Sequence, residues 1–161
     1  GRVALRGVVM PKLLSWMMSH PYLMRKPPKS TGREEFGLMF VQELLKRAKG
    51  MNRLDLIATA TEFTALSVFD HYDRFIRKRM RVDEVLVSGG GVHNEAMMQS
   101  LRRHFAPALV TQVEDIGVSS DAKEAMIFAL LANETISEIP SNVPSVTGAK
   151  RPVILGNICL A

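Results

Sequence analysis

The sequence predicts an α/β protein with a helix-rich first half followed by a βαβα unit, and three observations carry that expectation. Residues 11–79 place apolar side chains at helical spacing in successive stretches. From residue 84 onward, short apolar runs alternate with helical patterns, the mark of a unit with parallel strands. Three consecutive glycines, Gly89, Gly90 and Gly91, stand between the first of those runs and the next helix. That is where an α/β protein lets its backbone approach a nucleotide closely.

Taken in order, residues 1–7 show no cap and no initiating methionine, and read as the tail of something upstream. Pro11 suits the first turn of a helix carrying Leu13, Leu14, Met17 and Met18 on one side. His20-Pro21 closes it, because a residue before proline avoids the helical region. Residues 26–33 form a loop with two prolines. A helix over 34–49 follows, with Phe36, Met39, Phe40, Leu44 and Leu45 as its apolar face and Gly50 at its end. A long helix over 54–79 carries the small and threonine-rich contacts Ala58, Thr59, Ala60, Thr61, Thr64 and Ala65. Strand 84–88, helix 94–104 with Met97, Met98 and Leu101 inward, strand 108–113 and a strongly apolar, buried helix over 121–137 complete the unit. Residues 152–155 are expected to add a last short strand.

A chain of 161 residues, 47% apolar, suffices for one domain with one core. No apolar run is long enough to cross a bilayer, and the opening residues show no signal pattern. The single Cys159 forms no internal disulfide, which fits a reducing, cytoplasmic location. The net charge of +5 owes much to Arg74-Phe-Ile-Arg-Lys-Arg-Met-Arg81. Phe75, Ile76 and Met80 alternate there with charges as at a solvated helix end, where cations are favoured. A nucleic-acid surface is disfavoured, since beyond Phe75 no aromatic interleaves with the bases.

The candidate chemistry is confined to a few places. Gly89, Gly90 and Gly91 fit either a flexible strand-to-helix turn or a close approach to a ligand at a helix N-terminus. They match neither the dinucleotide-binding fingerprint nor the P-loop. His93 has no partner at metal-ligand spacing and reads as a polar turn residue. Asp121 and Glu124 share one face of a first helical turn, and both capping and ligand contact stay open for them. Lys29-Ser-Thr-Gly-Arg33 has a phosphate-binding composition but no preceding strand, so it also suits a polar loop capping the next helix. Thr59, Thr61 and Thr64 suit packing and back-bonding. The sequence assembles no Ser-His-Asp or Cys-His set and no zinc spacing.

Four motifs occur in order: Lys26-Pro-Pro-Lys-Ser-Thr-Gly-Arg-Glu34, Gly89-Gly-Gly-Val-His-Asn94, Asp121-Ala-Lys-Glu-Ala125 and Asn142-Val-Pro-Ser-Val-Thr-Gly-Ala149. With them the chain resembles the C-terminal half of the anhydro-N-acetylmuramic acid kinase family, over nearly its whole length. The family belongs to the sugar kinase, actin and Hsp70 superfamily, in which two lobes of ribonuclease H-like fold close over ATP. The resemblance implies that residues 1–161 are the nucleotide-side lobe and that the N-terminal phosphate-binding lobe is absent from them. It implies an ATP- and Mg²⁺-dependent kinase of cell-wall recycling, which opens the 1,6-anhydro ring of the amino sugar and phosphorylates its 6-oxygen.

On the same resemblance, Gly89, Gly90 and Gly91 would line the adenosine side of the cleft and Asn94 would begin the helix behind it. Glu124 would help hold the sugar or the attacking water. Lys29, Ser30, Thr31 and Arg33 would shape a hinge or the cleft rim. No catalytic residue and no metal ligand is assigned, since the general base is expected upstream of Gly1. Glu95 departs from the family by standing where a proline is common. As an isolated chain this lobe is expected to be inactive and to expose apolar surface, and a homodimer is implied. The alternative is a non-catalytic nucleotide- or sugar-binding regulatory module of the same fold.

Overall fold

The structure is a computed structural model that describes residues 1–117 and 119–159. Its axis is the helix α5, but α1 to α4 come first: Pro11–Met18, Pro21–Met24, Arg33–Phe36 and Leu38–Arg47. The helix expected over 34–49 is thus two pieces. Gly37 divides them at φ −92° and ψ −148°, and a Cβ there would sit 1.9 Å from the Arg33 carbonyl oxygen, so only glycine fits. The apolar spacing runs straight through this break, which hid it. The break also corrects the predicted face. Phe36 and Phe40 pack inward with Leu44, whereas Met39 is 79% exposed and Leu45 also faces out.

α5, Arg53–Phe75, begins where the Asn52 side chain accepts the Leu54 N–H at 2.9 Å. The hydroxyls of Thr59, Thr61 and Thr64 donate to carbonyls four residues earlier, at 2.7, 2.9 and 3.2 Å. The helix stops at Phe75, short of Arg79. The Arg77 N–H reaches back five residues to the Tyr72 carbonyl at 2.8 Å, which closes the last turn, and Arg77 pairs with Asp73 at 2.7 Å. Against the first half of α5 lies one core of Leu13, Met17, Tyr22, Leu23, Leu44 and Phe63.

The second half of α5 packs on the strand unit. β1, Glu84–Val87, and β2, Leu109–Gln112, are parallel, with Glu84 opposite Leu109 and Val87 opposite Gln112. α6, Glu95–Phe105, connects them and contributes Met98, Leu101 and Phe105 to a core with Ala65 and Val110. α7, Ser120–Ile136, and the short α8, Pro144–Thr147, follow. Two expectations fail here. Residues 152–155 form no strand, because the Val153 N–H is taken by the Asn142 side chain at 2.6 Å instead of by a ladder. The apolar helix α7 is not buried: Phe128 is 70% exposed, and Met126, Leu130 and Ile136 also face outward. Among the described residues, the tail around Leu155 to Ile158 lies along its apolar side, leaving an apolar cleft of about 450 Å³. Among the described residues no helix is long and apolar enough to cross a membrane.

A buried carboxylate lies where α5 meets α6. Glu62 on α5 is 9% exposed, and its two oxygens accept three donors from α6. Ser100 Oγ lies at 2.6 Å, Arg103 Nη2 at 2.7 Å and His104 Nε2 at 2.6 Å. An ionised carboxylate only accepts, so His104 carries its hydrogen on Nε2. The His104 ring stacks on Phe69, 5.6 Å between centroids. Burial alone would push the Glu62 carboxyl up; the hydrogen bonds from Ser100, His104 and Arg103 outweigh it and hold the group below the ordinary glutamate range.

Removing that carboxylate with Glu62→Ala strands the Ser100 and His104 donors and frees Arg103 to solvent, and Glu62→Gln turns an amide NH₂ toward the same donors. Each is expected to lose about 2–4 kcal/mol in urea unfolding at pH 7. A depressed carboxyl stabilises the fold above the unfolded pKa, and that contribution fades as pH falls through the folded value. The gap between wild type and Glu62→Gln should therefore narrow once pH drops below about 4. Equal stability of the two at pH 7 would refute the clamp.

Candidate functional site

In parallel α/β units, ligands bind beyond the carboxyl ends of the strands. Here Ser88 and Gly89 follow the end of β1, and Gly89 takes φ 81° with ψ −177°, a conformation essentially reserved for glycine. The turn Gly90–His93 follows, anchored by the buried Val92. A Cβ on Gly90 would meet nothing within 4 Å, so this backbone borders open space, whereas one on Gly91 would meet only the flexible tip of Met97. Asn94 then starts α6 by accepting the Met97 N–H at 3.2 Å. Its other neighbour is the opening segment, with which it borders a small cavity beside Ile57 and Thr61.

The first turn of α7 comes to the same strand end. Ser119 caps it, accepting the Ala122 N–H at 3.3 Å, and the Lys123 ammonium donates to Ser88 Oγ. Sequence alone assigns Lys123 no role. Its signal was that no other lysine or arginine occurs between Arg103 and Lys150, so a lone base lay beside the two acids considered there. Glu124 is the next residue along this turn and is exposed. The side chain of Asp121 lies outside the described residues. His93 is exposed in the turn after the glycines.

The loop of residues 26–33 has different neighbours. Lys29 Nζ donates to the carbonyls of Tyr22 at 2.9 Å and Leu23 at 3.3 Å, and lies 4.6 Å from the Tyr22 ring centre. Burial first, and the Arg74 charge second, lower its pKa. Thr31 borders an apolar cavity of about 640 Å³ with Phe36, Phe63 and His71, and Arg33 opens α3. The loop therefore contacts α2 and α5 and faces α8 across a groove, while the glycines contact α6. Among the described residues no three His, Cys, Asp or Glu side chains gather as a metal site, so no residue described here is assigned to Mg²⁺.

Comparison with known proteins gives a consistent result. A family model described as anhydro-N-acetylmuramic acid kinase matches residues 1–161. A protein named anhydro-N-acetylmuramic acid kinase from Bacillus cereus is 50% identical over 161 residues, covering 98% of this chain and 42% of its own length. Its namesakes from Bacillus thuringiensis subsp. konkukian and Bacillus anthracis are 49% and 48% identical, with the same coverage. The chain thus spans about two-fifths of the length of the curated relatives it matches.

The glycine geometry separates two neighbouring substitutions. Gly89→Ala forces a side chain into a positive-φ extended conformation and is expected to cost about 1–3 kcal/mol in thermal or urea unfolding. Gly90→Ala meets open space and is expected to stay within about 0.5–1 kcal/mol of the parent. Equal losses for the two would contradict the turn described here.

Proposed function

The chain belongs to the anhydro-N-acetylmuramic acid kinase family, and on that premise we propose that it supplies the nucleotide side of an ATP-dependent kinase of anhydro-N-acetylmuramic acid. Because it spans 42% of a relative's length, the activity is proposed for the whole protein and not for these residues alone. Its placement in the C-terminal half rests on the order of the four motifs, and in that placement the general base and the cradle for the γ-phosphate belong to the other lobe. In the reaction, water adds to the anomeric carbon, the 1,6-anhydro C–O bond breaks, and the released 6-oxygen takes the γ-phosphoryl group from ATP.

The observation that carries this reading is the strand-end arrangement of Gly89, Gly90 and Lys123. An open glycine backbone beside a helix start admits a flat base or a sugar-phosphate closely. Lys123 puts a positive charge at the same end, where phosphate oxygens gain from charge-assisted hydrogen bonds. Glu124 faces solvent from the same turn, as a group that holds the sugar or water would. Catalysis of phosphoryl transfer is mostly positioning and charge neutralisation, and these residues are suited to the first.

The test is mass spectrometry of the sugar after the intact reading frame meets ATP, Mg²⁺ and anhydro-N-acetylmuramic acid, with this chain alone in parallel. The intact protein is expected to add one water and one phosphoryl group, and this chain alone to give none. An unmodified sugar from the intact protein would overturn the kinase reading. Full turnover by this chain would overturn the division of labour between lobes.

A further inference from the structure

Two of the four motifs meet away from the glycines. The loop at residues 25–30 faces α8 across an open groove of about 630 Å³, bordered by Arg25, Lys26, Lys29, Ser30 and Thr147. Arg25, Lys26 and Lys29 carry positive charge, and Pro28 and Val146 complete the seven lining residues. Arg74 adds a fourth cation behind them, since its guanidinium and the Lys29 ammonium both donate to the Leu23 carbonyl, at 3.1 and 3.3 Å. The neutralising carboxylates are fewer: Asp70 on Arg74 at 3.1 Å and Glu35 on Arg25 at 2.8 Å. Lys26 has no carboxylate partner among the described residues.

Gathering like charges is unfavourable unless something negative sits among them. Burial first and the Arg74 charge second lower the Lys29 pKa, Asp70 opposes them, and Arg25 adds a smaller push in the same direction as Arg74. Lys29 is also held in place. Two of its three N–H donors are fixed on carbonyls, which leaves one donor on a preorganised ammonium. The Ser30 hydroxyl adds a neutral donor at the groove's edge.

We propose that this groove is an oxyanion-binding site that takes the phosphate or carboxylate of a small ligand between Lys26, Lys29 and Ser30. The proposal rests on the groove itself and goes beyond the assignment of the glycine turn. Either a polyphosphate or the lactyl carboxylate of a muramic acid offers that chemistry.

The experiment is an amide-shift titration of the ¹⁵N-labelled chain at low salt with inorganic pyrophosphate, N-acetylmuramic acid and N-acetylglucosamine. Saturable shifts at residues 25–31 and 146–148 are expected with at least one of the two anions. A response to N-acetylmuramic acid but not to N-acetylglucosamine identifies a carboxylate site, and a response to pyrophosphate alone a phosphate site. Lys26→Glu, at an exposed position without a carboxylate partner, is expected to weaken that binding at least tenfold while the remaining amides keep their shifts. No saturable shift in the groove with either anion, or unchanged affinity in Lys26→Glu, overturns the proposal. Neither result depends on whether the intact protein phosphorylates a sugar, so the two readings fail separately.

Discussion

The Glu62 carboxylate pins α6 to α5, the helix whose two halves carry the helical core and the strand core. Three donors from α6 converge on it, and the cores on either side are built from different helices. Fixing α6 in this way fixes both of its ends. Its C-terminal end feeds β2 through Ala106 and Pro107, and its N-terminal end receives the turn from β1. The unusual backbone of Gly89 is held in register because Val92 is buried on one side of it and Asn94 caps α6 just beyond. An apolar substitute in the seam would bury well but would lack the directionality of three short hydrogen bonds.

Much of this was legible in the sequence, and the failures have physical causes. The βαβα order and the glycine turn follow from local chemistry, which is what a sequence displays, whereas the role of Asn94 in starting α6 was implied by the family resemblance. The Gly37 break was hidden because Phe36 and Phe40 keep helical spacing across it. The last strand was misjudged because Asn142, eleven residues before Val153, competes for its backbone N–H. Apolar content alone suggested that α7 is buried; burial needs a partner surface, and among the described residues the segment near Leu155 covers only part of the helix. Glu62 was not singled out at all, since a lone glutamate amid Thr and Phe gives no sign of donors about forty residues away.

The site was legible in part. Gly89, Gly90 and Gly91 lie at a strand end, and Glu124 lies on the helix whose first turn reaches it. Lys123 emerges only from the fold, through its bond to Ser88. The loop of residues 26–33 turns out to be anchored through Lys29 to α2, and it shares its groove with α8 and not with the glycine turn. Family membership accounts for the order of these motifs along the chain; their spatial division into two places comes from the packing.

The central claim is that the strand end bearing Gly89 and Lys123 receives a nucleotide, and the direct measurement is ADP titration of the ¹⁵N-labelled chain followed through its amide shifts. Saturable shifts at residues 88–94 and 122–125, lost in Gly89→Ala, are the predicted result. Shifts confined to the basic segment at 74–81, or none at the strand end, would contradict it.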